Sequence, residues 1–156
     1  MFKKTALILM ALAAPNLSYA DAQPLTIQQI PQEIDSLFSN KKYAECILLI
    51  DQLITFFRTA LRDNPEQIQD IDSINKALLE LWLLRARCHI NMNLFHEALD
   101  DCDKALQKDK NYGYAYFVKA VALFKLNKEK KAIEYLKIAA KKGFMPAQIL
   151  VAQYQL

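Results

Sequence analysis

The chain has 156 residues, 53% of them apolar and 24% charged, with 2 Gly, 5 Pro and a formal net charge of +3. That length suits one domain better than two, and that apolar fraction excludes a disordered chain. Two glycines cannot build a Gly-rich phosphate loop, a dinucleotide fingerprint or a nucleophile elbow, nor the many tight turns of a β-sandwich or barrel, so an all-α fold is expected.

The chain opens on a short basic start, Met1-Phe2-Lys3-Lys4, followed by an apolar run from Thr5 to Ala14 and a break at Pro15-Asn16. Ser18-Tyr19-Ala20 places small residues three before and immediately before a cut ahead of Asp21. This is the layout of a secretory signal peptide over residues 1–20. The apolar run is shorter than the roughly 20 residues that span a bilayer, and later apolar stretches carry charges. Residues 21–156 are therefore expected to be exported without stable membrane insertion. The Lys-Lys start suggests a bacterial signal, and so a periplasmic or secreted protein.

A first helix pair is expected over about 27–62. Its apolar positions are Ile34, Leu37, Tyr43, Cys46, Ile50 and Leu53. Asp63-Asn64-Pro65 is the strong turn signal that follows. A long helix from about Tyr43 to Arg62 then meets another from about Glu66 to Asn91, which carries an apolar stripe of Ile68, Ile71, Ile74, Leu78 and Leu81.

The next two pairs, about 66–110 and 113–142, show a period. Trp82-x2-Arg85-Ala86-x2-His89, then Phe95, Ala98, Cys102 and Ala105, match Tyr116-x2-Lys119-Ala120-x2-Leu123, then Glu129, Ala132, Leu136 and Ala139. Every counterpart lies 34 residues on. The small residues, such as Ala86 and Ala98, sit where two helices approach closely, and larger ones fill the space around the crossing. Asn93 and Asn127 fall in the tight turns between the helices, where Asn tolerates the left-handed conformation. Lys110 follows the second helix of its pair, so that end is expected to fray or run on. A last helix over about 146–155 begins after Gly143, a fitting C-cap, with Pro146 in its first turn.

These residues resemble the tetratricopeptide (TPR) repeat, an antiparallel helix pair, most closely over 93–106 (NLFHEALDDCDKAL). The tail, 139–154, is similar to the related Sel1-like repeat. The resemblance implies a short α-solenoid over 21–156 closed by a capping helix. It also implies a non-enzymatic module that binds a peptide or protein partner in a concave groove lined by the first helix of each pair. An adaptor or assembly factor of the cell envelope is the implied role; a secreted effector that binds host proteins and a cell-wall accessory enzyme are the alternatives.

On that reading the groove is lined by Phe38, Leu83, Arg87, Tyr114, Phe117, Val121 and Phe124. The last helix pair carries two apolar stripes: Tyr116, Ala120 and Leu123 for the core, and Tyr114, Phe117, Val121 and Phe124 spaced by 3, 4 and 3. The second stripe either anchors a partner or packs against neighbouring helices; the sequence leaves both open. Capture of a partner's terminal carboxylate is argued against, because Leu83, Leu84, Tyr114 and Val118 stand where Lys, Asn and Arg would be needed.

Other chemistry is thin. Cys46 and Cys88 would form a disulfide if antiparallel packing brought them together; three small buried thiols, with Cys102, is the favoured alternative. His96, Asp100 and Asp103 share a helix face, which a solvated acidic surface explains better than zinc. No catalytic set, metal site or cofactor is expected. Lysines crowd the chain after Cys102, with no Arg beyond Arg87, which argues against nucleic-acid binding. Charge is polarised: residues 21–103 hold seven basic and fourteen acidic residues, net −7, and residues 104–156 hold eleven and three, net +8. Such polarity would favour head-to-tail self-association or attraction to an anionic partner.

Overall fold

The computed structural model describes residues 30–63 and 70–155. Seven α-helices and no strand occur among these residues. They are α1 (Ile30–Ser39), α2 (Tyr43–Asp63), α3 (Ile71–Asn91), α4 (Phe95–Lys108), α5 (Gly113–Lys125), α6 (Glu129–Lys141) and α7 (Met145–Gln153). The chain divides into two compact units, Met1–Gln52 and Leu53–Leu156, with the division inside α2. The expected signal segment, residues 1–20, lies outside the described residues.

One turn chemistry recurs between helices. Lys41, Asn93 and Asn127 have φ near +60°, and Gly143 has φ +84°. At each, the next residue donates its N–H to a carbonyl five positions back: Lys42 to Leu37 (2.8 Å), Leu94 to His89 (2.8 Å), Lys128 to Leu123 (2.9 Å) and Phe144 to Ala139 (3.1 Å). The left-handed residue itself donates three positions back, Asn93 to Ile90 (3.1 Å) for example. This is the Schellman ending, which satisfies the last helical carbonyls and turns the chain sharply. Asn and Gly are legible as its αL residues. Lys41 is not, because a Lys carries no side-chain signal for that conformation.

Two helix ends differ from the sequence expectation. α3 starts at Ile71 rather than near Glu66, because Asp70 caps it by accepting the Ser73 N–H at 2.9 Å. Its apolar stripe begins later too: Ile71 is exposed, Ile68 lies outside the described residues, and burial starts at Leu78 and Leu79. α4 does not run on past Lys110. It stops at Lys108, and Asp109 accepts the Asn111 N–H at 2.7 Å in an Asx turn.

Within the Leu53–Leu156 unit, α3 packs on α4, α4 on α5, α5 on α6 and α6 on α7, and α3 also touches α5. The repeat geometry follows from side-chain size. Ala86, Ala98, Cys102 and Ala105 are buried in one pair, Ala120, Ala132, Leu136 and Ala139 in the next. Methyl-sized groups at these positions let the helix axes approach, and Trp82 and Leu123 fill the flanks. Gly113 serves a close approach of another kind. A Cβ there would lie 3.1 Å from Phe144 Cβ and 3.2 Å from Ala139 O, so a larger residue would have to push the C-terminal turn a few tenths of an ångström away from α5. Ala147 of α7 joins Ala120, Leu136 and Ala139 in a core cluster, with Leu150 and Val151 packed against it.

Candidate partner-binding face

The 13 residues of α5 are almost all apolar, so two of its faces must be accounted for. Gly113, Ala115, Val118, Ala120, Ala122 and Leu123 are buried. Tyr114, Phe117, Val121 and Phe124 remain together on an arc of about 80° at 100° per residue. The stripe expected from sequence is therefore a real face, and its burial is uneven.

The N-terminal half of that face is covered. Phe144, from the turn before α7, sets its ring 5.3 Å from Tyr114 and 5.0 Å from Phe117. Tyr114 also meets Tyr112 edge to face at 6.4 Å. These contacts hold the two rings as packing elements, each such pair adding about 0.5–1.5 kcal/mol beyond area burial. The C-terminal half stays open: Val121 is half-buried, and Phe124 keeps 40% of its surface exposed.

Leu83 requires a correction. It is 1% exposed and belongs to the core, because α3 lies against both α4 and α5 and the position that would face a groove is enclosed. Arg87, one turn on, is exposed, and Asn91 donates from Nδ2 to the Arg87 carbonyl at 2.8 Å. Phe38 lies in the other unit, half-buried and edge to face with Tyr43 at 5.4 Å. Of the expected residues, Arg87 on α3 and Phe124 on α5 are exposed, and Val121 is half-buried.

The sulfur chemistry is simple. Cys46, Cys88 and Cys102 are all buried. Burial pushes the Cys102 thiol up to about 12, far from a reactive thiolate. Among the described residues no group of three or more His, Cys, Asp or Glu side chains converges to hold a metal ion. Asp103, from the weighed zinc set, is paired with Lys119 instead.

Sequence reasoning missed a charge cluster between α3 and α4. Asp101 is buried and receives Arg85 through two hydrogen bonds, Nε to Oδ2 at 2.9 Å and Nη2 to Oδ1 at 2.5 Å. Lys104 Nζ adds a third at 3.3 Å. His89 Nδ1 lies 3.2 Å from Asp101 Oδ2, within ion-pair distance but without hydrogen-bond alignment. Burial alone would push the Asp101 carboxyl up. The His89 imidazole, the Arg85 fork and the Lys104 charge outweigh it and hold the group at about 2. The available signal was the pair Arg85 and His89, four apart on a packed helix face, which calls for a carboxylate on the facing helix.

No family model matches the chain. A stretch of 108 residues, 69% of the chain, is 30% identical to the human zinc finger CCCH domain-containing protein 7B, and the chain spans about a tenth of that protein's length. Two solved structures from yeast are similar in fold. One is described as the TPR2B-domain:pHsp70 complex of Sti1, with 21% identity, TM-score 0.56, and coverage of 81% of this chain and 87% of that one. The other is described as the TPR2AB-domain:pHSP90 complex of Sti1, with 19% identity, TM-score 0.57, and coverage of 97% of this chain and 48% of that one. The fold is all-α and of the TPR type, as the 34-residue period implies.

Proposed function

We propose that this chain is a non-enzymatic, TPR-type interaction module that takes a peptide or protein segment on the face shared by α3 and α5, at Arg87, Val121 and Phe124. One observation carries the reading. Along the Tyr114, Phe117, Val121, Phe124 stripe of α5, Phe144 covers the first two rings, while Phe124 keeps 40% of its surface exposed and Val121 is half-buried. An exposed aromatic ring is the kind of anchor that dominates binding energy at interfaces. The two Sti1 structures, described as complexes, are consistent with a binding role for the fold. Because Leu83 and Val118 are buried, the partner is held by its side chains rather than by a terminal carboxylate.

We further read residues 1–20 as a signal for export to the periplasm or beyond, and the tail around Gly143 and Pro146 as a Sel1-like end. An adaptor or assembly role in the envelope follows from that address. Mass spectrometry of the protein from fractionated cells should find a chain starting at Asp21; an intact Met1 in the cytoplasm would overturn the export reading.

The binding face is tested by site-specific photo-crosslinking in intact cells. A crosslinker at position 124 should trap a discrete partner, and one at exposed Glu134 on α6 should not. Phe124→Asp should abolish capture while the helical melting curve stays within a few degrees of the parent. Capture that persists in Phe124→Asp and in Arg87→Glu would remove this face from consideration.

A further inference from the structure

The last helix is apolar on two sides, and only one of them is used. Ala147, Leu150 and Val151 face the α5–α6 core. On the opposite side, Met145, Ile149 and Ala152 form a stripe at spacings of 4 and 3, with Met145 68% and Ile149 57% exposed. Tyr154, the C-cap residue, is 63% exposed at the end of the same helix. α6 packs beside α7, joined by Gln148 Nε2 donating to the Ala140 carbonyl at 3.1 Å. That neighbouring helix carries exposed Lys137 and Lys141, and Lys142 follows it. From Tyr135 to the end of the sequence there is no Asp or Glu.

We propose that the outer face of α7, with Lys137 and Lys141 beside it, is a peripheral docking surface for an anionic lipid headgroup layer. Two features select lipid over protein. First, a standard protein interface buries about 800 Å² per partner, whereas α7 is 9 residues and roughly 13 Å long. A bilayer surface needs no complementary shape. Second, the cations are all Lys, whose long stems lie along apolar surface while the ammonium stays hydrated among diffuse negative charge. Carboxylates on a protein partner are better matched by the rigid fork of Arg. Met145 and Ile149 would dip into the headgroup and acyl boundary while the lysines hold the helix down, giving reversible attachment. No described helix is long and apolar enough to cross a membrane, and none is needed. The surface uses different residues from the partner-binding face, so each stands or falls alone.

Vesicle co-sedimentation tests the idea, with the protein in the form isolated from cells and all variants in that same form, so that the N-terminal segment contributes equally. Vesicles of equal parts phosphatidylglycerol and phosphatidylcholine should pull down the parent chain at low salt, and pure phosphatidylcholine should not. Added salt should release it. Lys137→Glu with Lys141→Glu should weaken binding by roughly tenfold or more. Ile149→Ser with Met145→Ser should weaken it comparably while leaving crosslinking at position 124 intact. Variants that bind as well as the parent overturn the proposal, as does absence of binding to anionic vesicles. Vesicle-free sedimentation that reveals a dimer lost in the Ile149→Ser, Met145→Ser chain also overturns it, assigning the face to a second copy. So does saturable capture by an acidic protein in preference to the vesicles.

Discussion

The pairs α3–α4 and α5–α6 repeat at 34 residues, and at one place they solve the same packing problem with different chemistry. Arg85 and Asp101 in the first pair correspond to Lys119 and Tyr135 in the second. Arg85 and Asp101 form a bidentate ion pair with a buried carboxylate. Lys119 instead lies over the Tyr135 ring, 4.7 Å from its centroid, and reaches back to Asp103 on α4. Tyr135 in turn stacks on Tyr116 at 6.2 Å. His89, beside Asp101, corresponds to Leu123, which is simply buried. The repeat therefore preserves a cation on the first helix and small buried residues where the helices meet. Whether the second helix answers with a charge or a ring is free to vary. The two answers differ in risk: a buried carboxylate is tolerable only while its cations are present, whereas a ring under a lysine leaves nothing unsatisfied if the lysine departs.

That difference is open to measurement. Asp101→Ala removes the buried carboxylate that Arg85 and Lys104 share and should destabilise the fold by about 3–5 kcal/mol in chemical denaturation. Replacing both partners, Arg85→Met with Asp101→Leu, should recover most of that loss; a double variant as unstable as the single would show the pair itself to be indispensable. In the neighbouring pair the vulnerable element is apolar. Leu136→Ala opens a cavity in the cluster shared with Ala120, Ala139 and Ala147, at a cost of about 2–5 kcal/mol. The same chain should keep its response to acid.

Acid sensitivity separates the pairs more finely. Asp101 is held at about 2, below its usual 3.8, so its stabilisation is complete above pH of about 4 and is lost as pH falls toward 2. The shift corresponds to about 2 kcal/mol. The midpoint of urea unfolding should therefore drop between pH 4 and 2 in the parent, and the drop should shrink in the Arg85→Met, Asp101→Leu chain. An unchanged acid limb would place the titration elsewhere. The smallest effect belongs to the ring: Tyr135→Leu removes the cation–π contact and should cost about 0.5–1 kcal/mol at this half-exposed site, readable as a shift of a few degrees in Tm.

Much of the fold is legible in local pattern. The alanines at 34-residue spacing, the Asn and Gly turns and the Pro start of α7 each act within a few residues, and each does in space what its type and spacing imply. Legibility fails where the outcome depends on partners distant in sequence. The apolar stripe on α5 is plain from its spacing, but its division into a covered half and an open half depends on Phe144, which no periodicity on α5 announces. Leu83 reads as a groove residue from its repeat position and is enclosed because α5 follows. Asp101 reads as one of several acidic residues on α4. Its neighbours Asp100 and Asp103 are exposed, and only the rotation that aims it at Arg85 sets it apart.

The amino-acid sequence alone determined the helical class, the repeat period, the turn residues and which helix faces are apolar, because these follow from side-chain size and backbone preference over short stretches. Tertiary packing decided which apolar faces are closed, which carboxylate is buried and where rings remain open. Burial and charge pairing depend on what another helix brings to the same point, and that information is spread along the chain rather than written at the site.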